Sequence, residues 1–345
     1  MNNVIKVVFV IIGTVIGAGF ASGQEIYTFF YSYGINGLIG LIICSIFLSI
    51  IIYKVLKILT ENKNIENYKE FLDTIINRKA KNPYLNIKFI LNTIINIFLL
   101  ISFYIMIAGF GAYFSQELQL NSLIGCSAIS LLSFIIFMTS VKGVVKVNEV
   151  LTPILIIFVV TIGVINFLKL DLESAITSIV AVKNHGWFIS SILYCSYNSI
   201  LLIPVLITLS KLVKNKKQTK LISIISGLII LIISICIFFI ITRVDVNIAN
   251  LEMPVVYAIS KFFVKLKKIY GFIILSSIFT TSIAIGISLL QNISKNKTSY
   301  TQIALIMCIT SVPISKIGFS NLVTSIYPVF GVLGLYQILK IILKK

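Results

Sequence analysis

The sequence predicts an all-α polytopic membrane protein with ten transmembrane helices in one integral domain, residues 1–345. Of its 345 residues, 58% are hydrophobic and only 12% are charged, and the mean hydropathy is +1.05. Soluble domains are typically about 45–50% apolar and about 25% charged. The apolar residues are also collected in segments of the ~20 residues that a helix needs to cross a bilayer. Composition and segment length therefore both favour a membrane protein.

Ten segments of the chain are long and apolar enough to span the membrane. They cover roughly residues 4–33, 37–59, 88–115, 122–140, 149–169, 187–210, 220–242, 270–293, 300–318 and 320–342. The segment 60–87 mixes charged residues with apolar residues at helical spacing, which predicts a short surface helix in a cytoplasmic loop. The segment 243–269 has a similar mixed character and is predicted to be an extracellular loop.

The formal net charge of +18 would also suit a nucleic-acid partner, but the positions of the basic residues indicate lipid. With the N-terminus inside, the cytoplasmic loops hold 21 of the 29 Lys and Arg residues. This bias is typical of the positive-inside rule and of contact with anionic lipid. We therefore expect a multi-pass protein of the inner (cytoplasmic) membrane, with both termini cytoplasmic and no nucleic-acid partner. The sequence does not predict an oligomeric state.

The first span contains four glycines, Gly13, Gly17, Gly19 and Gly23, followed by polar residues that end in Glu25. Each glycine weakens a helix by roughly 1 kcal/mol relative to Ala. A broken backbone survives in hydrocarbon only if its freed N–H and C=O groups face protein, water or a ligand. The pattern therefore favours a binding site at membrane depth. A small-residue packing face is the alternative, whereas a nucleotide-binding loop would need a βαβ pattern that is absent.

Ten spans permit two halves of five, roughly residues 1–170 and 185–345. Because five is odd, the second half would be inverted relative to the first, which makes span 6 the counterpart of span 1. The polar run Y-C-S-Y-N-S at residues 194–199, with Pro204 beyond it, predicts that helix 6 is broken as well. A polar stripe at a helix–helix contact is the alternative interpretation of this run.

Span 8 carries hydroxyl side chains on one face. Ser277, Thr280 and Thr281 are spaced at i, i+3 and i+4. Their oxygens, together with carbonyls freed at the break in span 1, could replace the hydration shell of a small hard cation. The alternative is that each hydroxyl bonds only to the preceding turn of its own helix.

Two windows of the sequence resemble a known transporter fold. The residues G-T-V-I-G-A-G at 13–19 resemble the broken first helix of the sodium-coupled leucine-transporter (LeuT) fold. The residues T-T-S-I-A-I at 280–285 resemble the eighth helix of that fold at its sodium site. The longer start, I-G-T-V-I-G-A-G-F-A-S-G-Q-E, resembles the YkvI-like amino acid permeases of the amino acid–polyamine–organocation (APC) superfamily.

The resemblance implies roles for particular residues. The Na⁺ ligands would be the carbonyls of Gly13, Ile16 and Ser277 and the hydroxyls of Thr280 and Thr281. The substrate site would be formed by residues of helices 1, 3 and 6, namely Gly17, Ala18, Gly19, Phe20, Tyr104, Ser196, Tyr197 and Asn198. No cofactor is implied other than Na⁺ as the coupling ion.

The sequence also departs from the pattern of the fold. Gly23 stands where an outer-gate arginine is expected, and a second sodium site has no match. Proton-coupled relatives carry a Lys in span 5, and residues 151–167 contain none, which favours Na⁺.

Glu25 is the acidic residue that clearly lies within a span. An ionisable group at this depth is costly, so it should face a cavity or a partner. It could bind a substrate ammonium group, form part of an outer gate or carry a proton. The alternative is that Glu25 is solvated in an external vestibule. Glu252, next to Pro254, is expected to be a solvated loop residue.

The sequence does not predict an enzyme. The single histidine, His185, lies in a predicted outer loop, and no His/Cys cluster or pair of intramembrane carboxylates supplies catalytic groups or a metal cage. The five cysteines are scattered singly without a C-x-x-C motif, which predicts buried, reduced thiols.

The sequence thus predicts a secondary active transporter of amino acids or related small zwitterions, coupled to sodium and operating by alternating access. The resemblance implies that a bundle of helices 1, 2, 6 and 7 rocks against the rest. Two alternatives remain open. One is a ligand-sensing membrane receptor of the germinant-receptor type, which resembles the same architecture, and the other is a proton-coupled carrier.

Overall fold

The computed structural model describes residues 3–76, 87–139, 142–169, 181–244, 246–294 and 296–344. These residues form α-helices joined by loops and short 3-10 turns. The helices are α1 (Asn3–Val15), α2 (Ala18–Ser22), α3 (Gln24–Phe29), α4 (Ile35–Glu61), α5 (Tyr68–Ile75), α6 (Ile87–Leu118), α7 (Ser122–Met138), α8 (Lys142–Lys169), α9 (Trp187–Leu209), α10 (Lys216–Ile241), α11 (Pro254–Phe262), α12 (Lys267–Ile293), α13 (Lys297–Ile314) and α14 (Phe319–Leu343).

Eight of these helices, within the described ranges, are long and apolar enough to cross a membrane: α4, α6, α8, α9, α10, α12, α13 and α14. Two shorter apolar helices, α1 and α7, have 13 and 17 residues. The all-helical membrane class is therefore confirmed. The count of ten spans and the inverted 5+5 repeat remain predictions, because the first predicted span is divided into α1, α2 and α3.

The glycine-rich segment breaks the first helix as predicted. Helix α1 ends at Val15, and Gly17 is extended, with its N–H bonded to the Val15 carbonyl at 3.0 Å instead of to Gly13. A second interruption lies at Gly23, whose φ of +86° is in the left-handed region that favours glycine. Backbone carbonyls of the last turn of α1 are thereby left without helical partners.

The prediction that helix 6 is broken is wrong. Helix α9 runs without interruption from Trp187 to Leu209 and includes Pro204. The run 194–199 contains no glycine, and two of its polar side chains, Asn198 and Ser199, bond within the helix. Asn198 Nδ2 donates to the Tyr194 carbonyl at 3.0 Å, and the Ser199 hydroxyl donates to the Cys195 carbonyl at 2.6 Å. These two bonds pair Asn198 and Ser199 with carbonyls of the preceding turn without opening the backbone.

Helix α1 lies at the centre of the helix bundle. It contacts α8, α9 and α10, and its residues Val7, Ile11 and Ile12 are fully buried. The peripheral helices instead expose large apolar side chains, such as Ile46, Ile157 and Phe272. Exposed apolar faces around a buried centre suit a protein surrounded by lipid. The five cysteines are buried and form no disulfide, as predicted.

The predicted surface helix in the segment 60–87 is confirmed as α5. Asn67 caps it by accepting the Glu70 N–H at 2.9 Å, while Glu70 Oε2 accepts the Glu66 N–H at 2.7 Å. The Glu66 N–H bond lowers the pKa of Glu70. Phe71 and Leu72 are buried against the bundle. The remainder of the segment, residues 77–86, lies outside the described residues.

Candidate functional site

The end of α1 faces the hydroxyl-bearing side of α12. The Ser277 hydroxyl donates to the Ile16 carbonyl at 3.1 Å. One turn further, a methyl group of Thr281 lies 3.6 Å from the position that a Cβ on Gly17 would take. The structure therefore brings Ile16, Ser277 and Thr281 together, but it is the Ser277 hydroxyl, and not the predicted Ser277 carbonyl, that is directed at Ile16. The C-terminal end of a half-helix carries partial negative charge, which suits a cation.

The hydroxyl groups of α12 differ in their bonding. Thr280 Oγ1 donates to the Ser277 carbonyl at 3.1 Å, within the helix. Thr281 Oγ1 is buried and has no hydrogen-bond partner. Leaving a buried hydroxyl unpaired costs about 1–3 kcal/mol. Such an oxygen is suited to act as a ligand.

Two small cavities meet at Gly13. One of about 10 Å³ is lined by Gly13, Ile16, Leu151, Thr152, Leu155 and Ser277. The other, of about 20 Å³, includes Gly13 and Thr281 in its lining. A cavity of roughly 10–15 Å³ holds about one water molecule, so both spaces are on the scale of a small ion.

Thr152 of α8 was not predicted as a site residue. A Cβ on Gly13 would lie 2.6 Å from Thr152 Oγ1, so only glycine lets this hydroxyl reach the end of α1. The signal was present, since Thr152 is a hydroxyl residue beside Pro153, near the start of the predicted span 149–169. A single hydroxyl in an apolar span does not by itself predict a ligand, because it can bond to the preceding turn of its own helix.

Glu25 folds back over the break from α3. A Cβ added to Gly19 would lie 2.6 Å from Glu25 Cγ and 2.8 Å from Cδ. The Tyr197 hydroxyl donates to Glu25 Oε2 at 2.7 Å, and only 3% of Glu25 is exposed. The interpretation of Glu25 as a solvated vestibule residue is therefore wrong. Among the described residues, no basic side chain forms an ion pair with it.

Aromatic rings surround the Glu25 carboxyl group. Tyr197 stacks on Tyr327 of α14, with ring centroids 4.5 Å apart, and meets the edge of Tyr194 at 5.2 Å. Phe29 packs on Tyr194 at 5.3 Å. The Tyr194 hydroxyl faces Glu25 but is buried without a hydrogen-bond partner. The sequence did not indicate Tyr327, because nothing in its local pattern links α14 to the break.

Of the other predicted substrate residues, Ala18, Gly19 and Phe20 are buried in α2, beside the break. Ser196 lies against Gly334 of α14, where a Cβ would be 2.6 Å from its hydroxyl. The Tyr104 hydroxyl is 2.7 Å from Thr310 Oγ1 and is not directed to the break.

The predicted outer end of the site is closed by several contacts. The Tyr270 hydroxyl donates to the Ala21 carbonyl at 2.5 Å, and Gln24 Nε2 donates to Ser320 Oγ at 2.6 Å. Glu252 Oε2 accepts the Ser320 N–H at 2.6 Å. The expectation that Glu252 is solvated is therefore wrong, and burial raises its pKa.

The predicted cytoplasmic end is less tightly filled. A cavity of about 100 Å³ lies between α5 and the bundle and is lined by residues that include Tyr68, Leu99, Pro204 and Ser288. Leu99 and Ser288 also line the cavity that reaches Gly13 and Thr281. Space thus extends from the side of α5 towards the cation ligands, while the opposite side is closed.

Sequence comparison finds two full-length relatives from Bacillus subtilis (strain 168). The chain is 29% identical to the uncharacterized membrane protein YkvI over 349 residues, covering 99% of this chain and 95% of YkvI. It is 26% identical to the uncharacterized protein YyaD, covering 98% and 96% of the two chains. No family model matches the sequence.

Several solved transporters share the fold. A manganese transporter of Eremococcus coleocola aligns with a TM-score of 0.68 at 10% identity, covering 99% of this chain and 78% of the transporter. MhsT in complex with L-phenylalanine aligns at 0.67 and 16% identity, covering 95% and 86%. A Na⁺-coupled sialic acid symporter aligns at 0.62 and 13% identity, covering 96% and 75%.

These neighbours are transporters and not enzymes, in agreement with the prediction that the chain is not an enzyme. The full-length similarity to YkvI and the structural neighbours also confirm the resemblance seen in the sequence. The chain is thus similar over its full length to the membrane protein YkvI and shares the fold of LeuT-type transporters.

Proposed function

We propose that this protein is a secondary transporter of amino acids or related small zwitterions, coupled to Na⁺ and operating by alternating access. The observation that carries the proposal is the pairing of the broken end of α1 with the hydroxyl face of α12. Freed carbonyls at Gly13 and Ile16, the Ser277 hydroxyl and the unpartnered Thr281 hydroxyl meet around spaces of ionic size.

These residues fit a sodium ion. Na⁺ is a hard cation that prefers hydroxyl and carbonyl oxygens, and Thr281 Oγ1 is a buried oxygen without another partner. Thr152 Oγ1 adds a further oxygen from α8. When bound, Na⁺ would tie α1 to α8 and α12 and hold the break in one geometry. The substrate would then bind beside α2 and exchange between the two sides as the helices rock.

The neighbours support this proposal by fold and by what they bind. One was solved with L-phenylalanine, and another is described as a Na⁺-coupled symporter. The closed outer contacts and the space near α5 suit one state of an alternating-access cycle.

The test is the thermal stability of the purified protein with each amino acid in turn, in Na⁺ and then in K⁺. A ligand at 100 times its Kd adds about 2.7 kcal/mol of stability. We expect one or a few amino acids to stabilise the protein only in Na⁺. Stabilisation that is equal in both salts would contradict sodium coupling, and no response to any amino acid would contradict the substrate class.

Two single-residue variants test whether the dependence of stability on Na⁺ arises at Thr281. Thr281→Ala should remove the dependence on Na⁺, because it deletes the unpartnered oxygen. Ser282→Ala is the matched control, since the Ser282 hydroxyl donates to its own helix at Phe279 and lies 3.5 Å from Ser133 of α7. Full sodium dependence in Thr281→Ala would contradict the assignment.

A further inference from the structure

The buried carboxyl group of Glu25 is not used by the sodium site and calls for its own explanation. It lies at membrane depth, 3% exposed, next to the break in the first helix. An ionised carboxylate in such a place needs a positive partner or several hydrogen bonds. One phenol hydroxyl, from Tyr197, bonds to it. No described residue supplies a positive charge.

We propose that Glu25 binds the protonated amine of the substrate and that, in the empty transporter, the same carboxyl group holds a proton. The substrate ammonium group and this proton would then compete for the Glu25 carboxylate. This inference rests on the proposed function, because it names the part of the substrate that the same site recognises. The ligand class is a small molecule with a primary ammonium group.

The first support is an unused polar group aimed at the carboxyl. The Tyr194 hydroxyl is buried, with 2% of the residue exposed, and lies close enough to the Glu25 carboxyl to interact with it, although no hydrogen bond of normal geometry joins the two. An ammonium group has three N–H donors and needs several acceptors. Glu25 and the Tyr194 hydroxyl supply two acceptors on one side of such a group.

The second support is the ring of aromatic side chains. Tyr194, Tyr197 and Tyr327 lie around the carboxyl, with centroid separations of 5.2 Å and 4.5 Å between successive rings. Packed aromatic rings exclude water, and the lower local dielectric strengthens the attraction between the carboxylate and a cation that reaches it. A carboxylate within aromatic rings favours an ammonium group over a neutral or anionic group.

The third support is the surrounding charge. The titratable groups facing Glu25 are Tyr194 and Tyr197 from α9 and Tyr327 from α14, and Cys44 of α4 lies near Tyr194. All of these are neutral at ordinary pH. The carboxyl can therefore be neutralised either by its own proton or by a cation that enters the site.

A cavity on the predicted outer side lies near the closed site but does not reach Glu25. This cavity of about 450 Å³ is lined by residues of α3, α9 and α14, among them Phe29, Ser190 and Thr324. The Phe29 ring separates this cavity from Tyr194 and Tyr197, at centroid distances of 5.3 Å and 5.6 Å. Movement of one ring would connect the cavity to the carboxyl.

The exchange is balanced without another reactant. The O–H bond of the Glu25 carboxylic acid breaks, and its proton leaves to water. The ammonium group of the incoming substrate, which is already protonated, then donates an N–H hydrogen bond to the carboxylate. Binding therefore releases about one proton per substrate molecule.

The first part of the test needs no ligand. Infrared spectra of the substrate-free protein over a range of pH should show the C=O band of a buried protonated carboxylic acid, which Glu25→Gln removes. Glu117→Gln is the control, since the Glu117 carboxylate is paired with Lys267 at 3.2 Å and should not contribute to the band. Absence of a band that depends on Glu25 would overturn the proton half of the proposal.

The second part uses L-phenylalanine and L-leucine, each compared with its decarboxylated amine and its deaminated acid. Calorimetry in buffers of different ionisation enthalpy should show binding of the amino acid with release of about one proton, and no binding of the deaminated acid. Glu25→Gln should weaken amino acid binding by roughly 10- to 100-fold, as expected for loss of a charged hydrogen-bond partner, and should abolish proton release.

The outcomes separate the two proposals. Equal amino acid affinity in wild type and Glu25→Gln, without proton release, would overturn this inference and leave the proposed function intact. Failure of every amino acid and amine to bind the wild type would overturn both. A deaminated acid that binds as well as its amino acid would overturn the role of the amine.

Discussion

Replacement of Gly19 by Ala tests the contact between the first-helix break and Glu25. The new Cβ would lie 2.6 Å from Glu25 Cγ and 2.8 Å from Cδ, so the carboxyl must move away from Tyr197. A buried group that loses its partner costs about 1–3 kcal/mol. Ala also adds up to ~1 kcal/mol of helix propensity relative to Gly, which would mask part of the loss in the single variant.

A double-mutant cycle removes this masking. The effect of Gly19→Ala is measured in the wild type and in Glu25→Ala, where the obstructing side chain is gone and the propensity gain is unchanged. We expect the two effects to differ by about 1–3 kcal/mol. The assay is equilibrium unfolding in detergent, followed by the fluorescence of Trp187, the single tryptophan of the chain.

Gly17→Ala serves as the matched control within the same break. Its Cβ would meet Met106 and Thr281 at 3.6 Å, an ordinary van der Waals distance. Its effect on stability should therefore be independent of Glu25. If Gly19 and Glu25 also prove additive within ~0.5 kcal/mol, the carboxyl does not lie over the break and the site geometry is wrong.

Three further predictions concern the outer end of the site. Tyr270→Phe leaves the buried Ala21 carbonyl unpaired and should cost about 1–3 kcal/mol in the same unfolding assay; an unchanged midpoint would contradict the bond. Gln116→Ala removes two bonds to the Met253 backbone, at 2.9 Å and 3.1 Å, and should speed amide hydrogen exchange at 253 without affecting exchange in α5. Burial raises the pKa of Glu252 above its value in the unfolded chain, so the protonated form favours the fold and stability should fall as pH rises past about 4.5. Glu252→Gln should flatten this part of the pH profile of thermal unfolding, and an unaltered slope would contradict the shift.

The local signals in the sequence predicted the helices and the first break well. Apolar segment length located most of the long helices to within a few residues, because a bilayer requires about 20 apolar residues of each spanning helix. The glycines of the first span located the break, because glycine has both a propensity cost and access to the left-handed region used at Gly23.

Tertiary contacts limited the predictions for the rest of the site. The polar run in α9 looked like a second break, but a helix interior can absorb Ser and Asn by bonding them to the preceding turn. Tyr327 and Thr152 approach the site from segments that are distant in sequence. A local sequence pattern does not predict such contacts. Glu252 was misjudged for the same reason, because its bond to Ser320 joins loops far apart in sequence.

The contrast between a divided first helix and an undivided α9 gives the two elements different mechanical properties. Helices α1, α2 and α3 are separated by non-helical residues at 16–17 and at Gly23, so each can turn about its own axis. Helix α9 is a single rod of 23 residues, about 35 Å long, and it packs along both α4 and α14. If α9 tilts about Tyr197, its two ends therefore move in opposite directions. Narrowing of the site on one side of the membrane is then mechanically linked to widening on the other side.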